Sequence, residues 1–168
     1  MKDKNKRAEE ILTYPTPYKT CGFEKVIMEH KMHRSETTLP TKGSRNSAGY
    51  DLYSKDDVII APGETHTFWT DVKSYMLDNQ VLQIYVRSSI GIKKGLILAN
   101  GTGIIDSDYF SNESNDGNIG VCLRNIGTEE QQIKIGDRIA QGIFLKFYLA
   151  DDIVSDEERK GGIGSTNE

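Results

Sequence analysis

Residues 98–121 read LANGTGIIDSDYFSNESNDGNIGV, and the rest of the chain is organised around them. Asn100-Gly101 is a strong short-range hairpin signal, because both residue types tolerate positive φ. Gly103-Ile104-Ile105-Asp106 follows, with a carboxylate directly behind a β-branched pair at the end of a predicted strand. Asp108 and Tyr109 come next. A tight hairpin beside a carboxylate and an aromatic has the parts to hold a flat base, a sugar and an attacking water in one small volume. Taken alone the signal is weak, since an Asp closing a strand is more often a turn residue.

Outward from this stretch, strand-like runs recur about every ten residues with turn residues between them. Towards the N-terminus they are Phe23–Met32, Ala48–Tyr53, Asp57–Ile60, a partly alternating Thr65–Val72 with Phe68 and Trp69 as anchors, and Val81–Val86. Leu39–Gly43 reads as a turn. Leu96–Ala99 and Gly103–Ile105 flank the hairpin, and Asn118–Asn125, Gln131–Ile135 and Ile139–Leu149 complete the set. This pattern predicts an all-β sandwich, jelly roll or barrel with almost no helix. Residues 1–22 are charged and then broken by Tyr14-Pro15-Thr16-Pro17-Tyr18, and read as an extension without an assigned role. Residues 23–150 form the β domain, and 151–168 a C-terminal arm.

A chain of 168 residues fits one domain plus an extension. Its 36% hydrophobic share is low, which suits a small β domain that hides further surface by oligomerising. A net charge of −4 argues against a nucleic-acid or anionic-membrane coat. Any polyanionic ligand would need local cations and a divalent metal. Cys21 and Cys122 have no metal-ligand spacing and read as free thiols in a reducing cytoplasm. No run has the length and apolarity of a signal peptide or membrane span.

Four further segments carry chemistry. Arg87-Ser88-Ser89 follows the cleanest strand and predicts a short helix, with Ser88 or Ser89 as N-cap and Gly95 as its stop. The N–H groups of such a start, two hydroxyls and an Arg suit a phosphate. Asp51, in the apolar strand Ala48-Gly49-Tyr50-Asp51, needs a cation or a metal-bound water, and a structural pair with Arg138 is compatible with either. Gly136-Asp137 makes a turn into Arg138-Ile139-Ala140-Gln141. Alternation there puts Arg138, Ala140 and Gly142 on one face and Ile139 and Gln141 on the other, so that Gln141 needs a partner or a ligand. Gly161-Gly162-Ile163-Gly164-Ser165-Thr166-Asn167 has the composition of a disordered tail and also of a phosphate-wrapping loop.

The segments AGYDLYS (48–54), RSSIGIK (87–93), GIIDSDY (103–109), GDRIAQGIF (136–144) and GGIGSTN (161–167) together resemble, in order, the five motifs of the trimeric dUTPase family. The resemblance runs from about residue 23 to the C-terminus. It implies a distorted jelly-roll or β-barrel fold with one short helix, assembled as a homotrimer. It further implies Mg2+-dependent hydrolysis of dUTP to dUMP and pyrophosphate by attack of water on the α-phosphorus. Such an activity keeps dUTP low and supplies dUMP for thymidylate synthesis.

Residue by residue, the resemblance makes Asp106 the general base. Arg87, Ser88, Ser89 and Gln141 hold the α and β phosphates. Asn100 and the backbone of Gly103, Ile104 and Ile105 read uracil, and Tyr109 lies under the deoxyribose. Ile163, Gly164, Ser165 and Thr166 of the arm close over a neighbouring subunit's site, Ser165 and Thr166 on the γ phosphate. Asp51 helps hold Mg2+ through water, and the Arg-Asp of the fourth motif belongs to an ion-pair network with the first.

The chain departs from the family's pattern in several places. Val86 stands where Pro is usual, and Ile163 stands where a Phe stacks on uracil. Arg159 lies two residues before the first Gly of the arm, with Glu158 in the third place where many members carry Arg. Phe110 to Asp116 is a polar insertion, read as a longer surface loop. Two alternatives follow. A dCTP deaminase shares the fold and the Arg-Ser-Ser motif but carries a catalytic Glu where this chain has Cys122. A weakly catalytic homologue would act by binding a regulatory protein, and Ile163 and the insertion leave that reading open.

Overall fold

A computed structural model of the chain describes residues 19–151. The fold is almost wholly β. Its strands are β1 (Cys21–Lys25), β2 (Thr41–Lys42), β3 (Tyr50–Tyr53), β4 (Val58–Ile60), β5 (Thr65–Trp69), β6 (Val72–Met76), β7 (Gln80–Val86), β8 (Leu96–Leu98), β9 (Gly103–Ile105), β10 (Gly120–Asn125), β11 (Gln131–Ile133) and β12 (Arg138–Lys146). They form one sheet of order β2-β3-β12-β7-β9, one of order β5-β10-β8, and two ribbons, β1-β6 and β11-β4. The sheets pack face to face without closing into one continuous barrel. Ladders of this kind suit the alternating β-branched and aromatic residues of β7 and β10, which bury one face and leave the other half-wet.

The core lies between the sheets, and both sheets and both ribbons feed it. Leu52, Leu82, Ile84, Ile139 and Ala140 come from the five-stranded sheet and Phe68, Leu96, Leu98, Val121 and Leu123 from the three-stranded one. Ile60, Ile133 and Met76 arrive from the ribbons. Truncating a fully buried aromatic such as Phe68 to Ala would cost about 3–5 kcal/mol, by loss of contacts and the cavity left behind.

Several sequence expectations are corrected. Residues 98–103 do not form a hairpin: β8 pairs with β10, and β9 pairs with β7 in the other sheet. Gly101 takes φ +78, but Asn100 does not enter the left-handed region that a two-residue hairpin turn requires at both centres. The Gly101 amide donates to Leu98 O at 3.1 Å, and the chain turns a corner between sheets. Phe23–Met32 is not one strand. β1 ends at Lys25, because the amides of Ile27 and Met32 then donate to the carboxylates of Asp116 and Asp71, each at 2.8 Å, and Met28–His30 forms a 3-10 turn.

Thr65–Val72 also divides. Asp71 adopts φ 55, a costly conformation for a non-glycine residue, and sends β5 and β6 into different sheets. Thr41–Lys42, expected in a turn, pairs with β3 as a short edge strand. In β12 the register shifts between Arg138 and Ala140, so the expected alternation fails there and both Ile139 and Ala140 are buried.

Candidate functional site

The middle of the five-stranded sheet brings four of the expected site residues to one place. Asp51 of β3 lies opposite Gln141 of β12, and Gln141 lies opposite Tyr85 of β7. Two residues past Tyr85, Arg87 turns back, and its Nε forms an ion pair with Asp51 Oδ1 at 3.0 Å. Arg138 reaches Asp51 Oδ2 at 3.4 Å. The Asp51 side chain is 6% exposed, Arg87 25% and Arg138 50%, so the anion is buried while its two cations face outward in steps. One buried carboxylate under two guanidiniums leaves a local surplus of positive charge. Among the described residues no hydrogen bond holds the two terminal nitrogens of Arg87, which leaves them for another acceptor.

Gly49 explains how Gln141 lies flat on this surface. A Cβ at Gly49 would come within 3.2 Å of the Gln141 Cβ and collide with its amide oxygen. The turn before β12 is as expected, with Gly136 at φ 87. Asp137 serves that turn, accepting from the Lys134 amide at 2.9 Å, and the ion pair with β3 is made by Arg138.

Ser88 and Ser89 stand exposed at the start of a single helical turn spanning Ser89–Lys93. The expected side-chain cap is absent: Ser88 is itself helical, and neither hydroxyl caps the turn. The amides of Ile90 and Gly91 both donate to Arg87 O at 2.9 Å, an i→i+3 and an i→i+4 bond that together fix the Arg87 carbonyl. Gly95, at φ 63, ends it as expected.

Asp106 and Tyr109 belong to a second cluster. β9 runs antiparallel to β7, with Ile105 opposite Leu82 and Gly103 opposite Ile84. A Cβ at Gly103 would stand 2.9 Å from the Ile84 Cβ, so only glycine permits this close approach. Asp106 is exposed just beyond β9. It sits beside the first half of β7, and Arg87 lies past the strand's other end. From Leu82 to Arg87, about 3.3 Å per residue makes about 16 Å. Within one chain the two clusters are therefore apart, and the single small volume expected from the sequence is not formed. Ile104 is exposed, and Asn100 stands exposed at the corner.

Tyr109 is buried, at 6% exposure. Its hydroxyl donates to Asn118 O at 2.8 Å and accepts from Asn115 Nδ2 at 2.7 Å. Phe110 to Asp116, read from sequence as a surface loop, is instead tied into the body. Asp116 pairs with Lys73 Nζ at 2.9 Å, and both side chains are 7% exposed. Lys73 also donates to Ser111 Oγ at 3.1 Å and lies 4.7 Å from the centre of the Phe110 ring.

Next to this loop, Asp71 forms a buried hub. It accepts from the amides of Met32 and His33 and from Asn118 Nδ2, and its Oδ2 meets His33 Nδ1 at 3.0 Å and Lys55 at 3.5 Å. Burial pushes the Asp71 carboxyl up, but the hydrogen bonds from Met32, His33 and Asn118 outweigh it and hold the group below its ordinary value. Sequence reasoning missed Lys73 and Asp71, because a Lys in an alternating strand and an Asp between strands both read as surface residues.

Ile163, Gly164, Ser165 and Thr166 lie outside the described residues. Among the described residues no three His, Cys, Asp or Glu side chains converge as metal ligands, and no helix is long and apolar enough to cross a membrane. Cys122 lies in β10 opposite Thr67.

A family model described as dUTPase matches residues 35–167. A deoxyuridine 5'-triphosphate nucleotidohydrolase of Lactococcus lactis is 41% identical over 150 residues, spanning 88% of this chain and 98% of the relative. The crystal structure of a dUTPase from Streptococcus mutans is 37% identical and superposes with a TM-score of 0.69, over 77% of this chain and 98% of that one. A mutant dUTPase of a staphylococcal phage, described as coordinating a structural Mg(II) ion, shares the fold at 21% identity and a TM-score of 0.62, over 83% of this chain and 98% of that one.

Proposed function

The chain belongs to the dUTPase family, and from that premise we propose that it hydrolyses dUTP to dUMP and pyrophosphate, so that dUTP is kept low and dUMP is supplied for thymidylate synthesis. The observation that carries the assignment of residues is the sheet-borne cluster of Asp51, Arg87, Arg138 and Gln141. Asp51 fixes Arg87 through Nε and leaves its terminal nitrogens for the α and β phosphates. The exposed hydroxyls of Ser88 and Ser89 and the amide of Gln141 complete that cradle. Asp106 is the general base: it orients a water towards the α-phosphorus and takes its proton as the bond to the pyrophosphate oxygen breaks. Asn100 and the backbone of Gly103 to Ile105 read the uracil edge. Tyr109, with its hydroxyl already committed, offers the ring to the deoxyribose and leaves no room for a 2'-hydroxyl.

The residues fit a Mg2+ ion only in one manner. The two Asp51 oxygens each face a guanidinium, so the pocket does not enclose a bare cation. It fits an ion that arrives on the phosphates and meets Asp51 through a water. When bound, such an ion neutralises the phosphate charge and fixes the chain's conformation.

The separation of Asp106 from Arg87 supports a homotrimer, because each cluster would then be completed by another copy. In this reading 23–150 is the catalytic β domain and 151–168 an arm carrying Ile163, Gly164, Ser165 and Thr166 onto a neighbour's substrate. The two free thiols, Cys21 and Cys122, support a cytoplasmic location.

Release of pyrophosphate is to be measured from dUTP, dCTP, UTP and dTTP side by side with Mg2+. Turnover of dUTP alone is expected, and ammonia from dCTP would overturn the reading. The assembly is tested by refolding Asp106→Asn and Arg87→Ala chains together. Each alone is expected to turn over roughly 10²-fold more slowly or worse. Random mixing across subunits should restore about a quarter of the wild-type rate, because half of the sites draw an intact Arg87 and half of those an intact Asp106. No restoration would place both residues in one chain's site.

A further inference from the structure

The loop from Phe110 to Gly117 has no part in the reaction as described, yet it is wired to Tyr109 at both ends of that residue. Asn115 Nδ2 donates to the Tyr109 hydroxyl at 2.7 Å, and Asn112 Nδ2 donates to the Tyr109 carbonyl at 2.8 Å. The orientation of the Asn115 amide is itself determined. Its oxygen accepts from Asn112 Nδ2 at 2.8 Å and from the Gly117 amide at 3.1 Å, so its NH2 group must face the phenol. Gly117, at φ 80, presses the returning chain against the same residue: a Cβ there would stand 2.7 Å from Tyr109 O. Asp116 then bolts the loop to β6 through its buried pair with Lys73.

A steric wall discriminates between sugars that differ by one hydroxyl only if the wall cannot retreat by a fraction of an ångström. An aromatic side chain held only at its backbone can swing. Held also at its hydroxyl, it cannot. We propose that Asn115 is a positioning residue for substrate selection: by fixing the Tyr109 hydroxyl it holds the ring against the sugar and enforces the choice of deoxyribose over ribose. This rests on the reading of Tyr109 given above and adds the loop as its support.

The test compares kcat/KM for dUTP with that for UTP in Asn115→Asp, Tyr109→Phe, the double variant and Tyr109→Ala. Asp keeps the acceptor for Asn112 and Gly117 and removes the donor to the phenol, whereas Tyr109→Phe removes that hydrogen bond together with the one the phenol donates to Asn118 O, and leaves the loop's own bonds intact. A loss of folded protein scales both substrates equally and leaves the ratio unmoved. The dUTP:UTP ratio is expected to fall roughly 2- to 10-fold in Asn115→Asp, the size of one lost hydrogen bond, and at least as far in Tyr109→Phe, with no further fall in the double variant beyond Tyr109→Phe. An unchanged ratio in Asn115→Asp beside a lowered one in Tyr109→Ala overturns the inference alone. So does a fully additive double variant. An unchanged ratio in Tyr109→Ala overturns the reading of Tyr109 and the inference with it.

Discussion

The two clusters that carry the expected site residues are built on different principles. The one around Asp51 rests on a sheet: β3, β12 and β7 fix three backbones in register, and two guanidiniums close on a single carboxylate. The one around Asp106 and Tyr109 rests on a loop held by asparagine amides and by a buried Lys–Asp pair. The first presents flexible cations to a flexible polyphosphate, and small errors are absorbed by long side chains. In the proposed reading the second must hold a base, a sugar and a water at fixed distances, and it uses the short side chains of Asn112 and Asn115, whose amide nitrogens and oxygens are both engaged. The difference suggests that the loop half is the more brittle.

Removing the bolt of the loop half should have the largest effect. Lys73→Met leaves the Asp116 carboxylate buried without its cation, and urea unfolding should show a loss of about 3–5 kcal/mol. A loss below about 1 kcal/mol, the range of exposed pairs, would show that the loop half is not brittle after all. Next comes Asp106→Asn, which keeps shape and removes the base. Turnover should fall by roughly 10²-fold or more while dUTP binding, measured by calorimetry, persists because the sheet half is intact. Near-normal turnover would remove Asp106 from its role.

The third prediction concerns acid. Asp71 supports the loop half through Asn118, and its folded value lies below the ordinary carboxylate value of 3.8. Its stabilising effect is therefore complete above about pH 5 and is lost as pH falls below about 4 and through the folded value. Wild type should lose more stability than Asp71→Asn between pH 5 and 3, read as the shift in urea midpoint. Parallel loss in the two would detach Asp71 from acid stability.

The smallest effect is expected at Ile163, in the arm proposed to close over the substrate. Ile163→Phe adds stacking of about 0.5–1.5 kcal/mol, a gain of a few-fold in kcat or in binding of dUTP. Deletion of 159–168 should cut kcat strongly, since water is no longer excluded. A truncated enzyme at full rate would make the arm a tail.

What was legible in the sequence divides along the same line. The turn at Gly136, the stop at Gly95 and the strand Val81–Val86 follow from local chemistry, and a one-dimensional reading finds them. The pairing of Asp51 with Arg138 was legible because a buried acid in an apolar strand demands a cation. The corner at Asn100-Gly101 was misread as a hairpin, since the same dipeptide turns the chain within one sheet or between two, and only long-range pairing decides. The loop of Phe110 to Asp116 was misread because its polar residues satisfy one another. Polarity signals solvent unless the partners are known, and Lys73 lies in a distant strand.

The hydrogen bond from the Ile27 amide to Asp116 joins residues 89 positions apart, and the Asp71 amide reaches Asn118 across 47. Contacts across such spans form only after a long loop has closed, at an entropic cost that local structure does not repay. The platform that holds Tyr109 thus cannot be complete until the first strand, the middle of the chain and the loop itself have met. The cluster around Asp51 is no more local, since Arg138 reaches Asp51 across 87 positions, so neither half is assembled from neighbours in the chain. Selectivity, in this molecule, is a property of the finished fold.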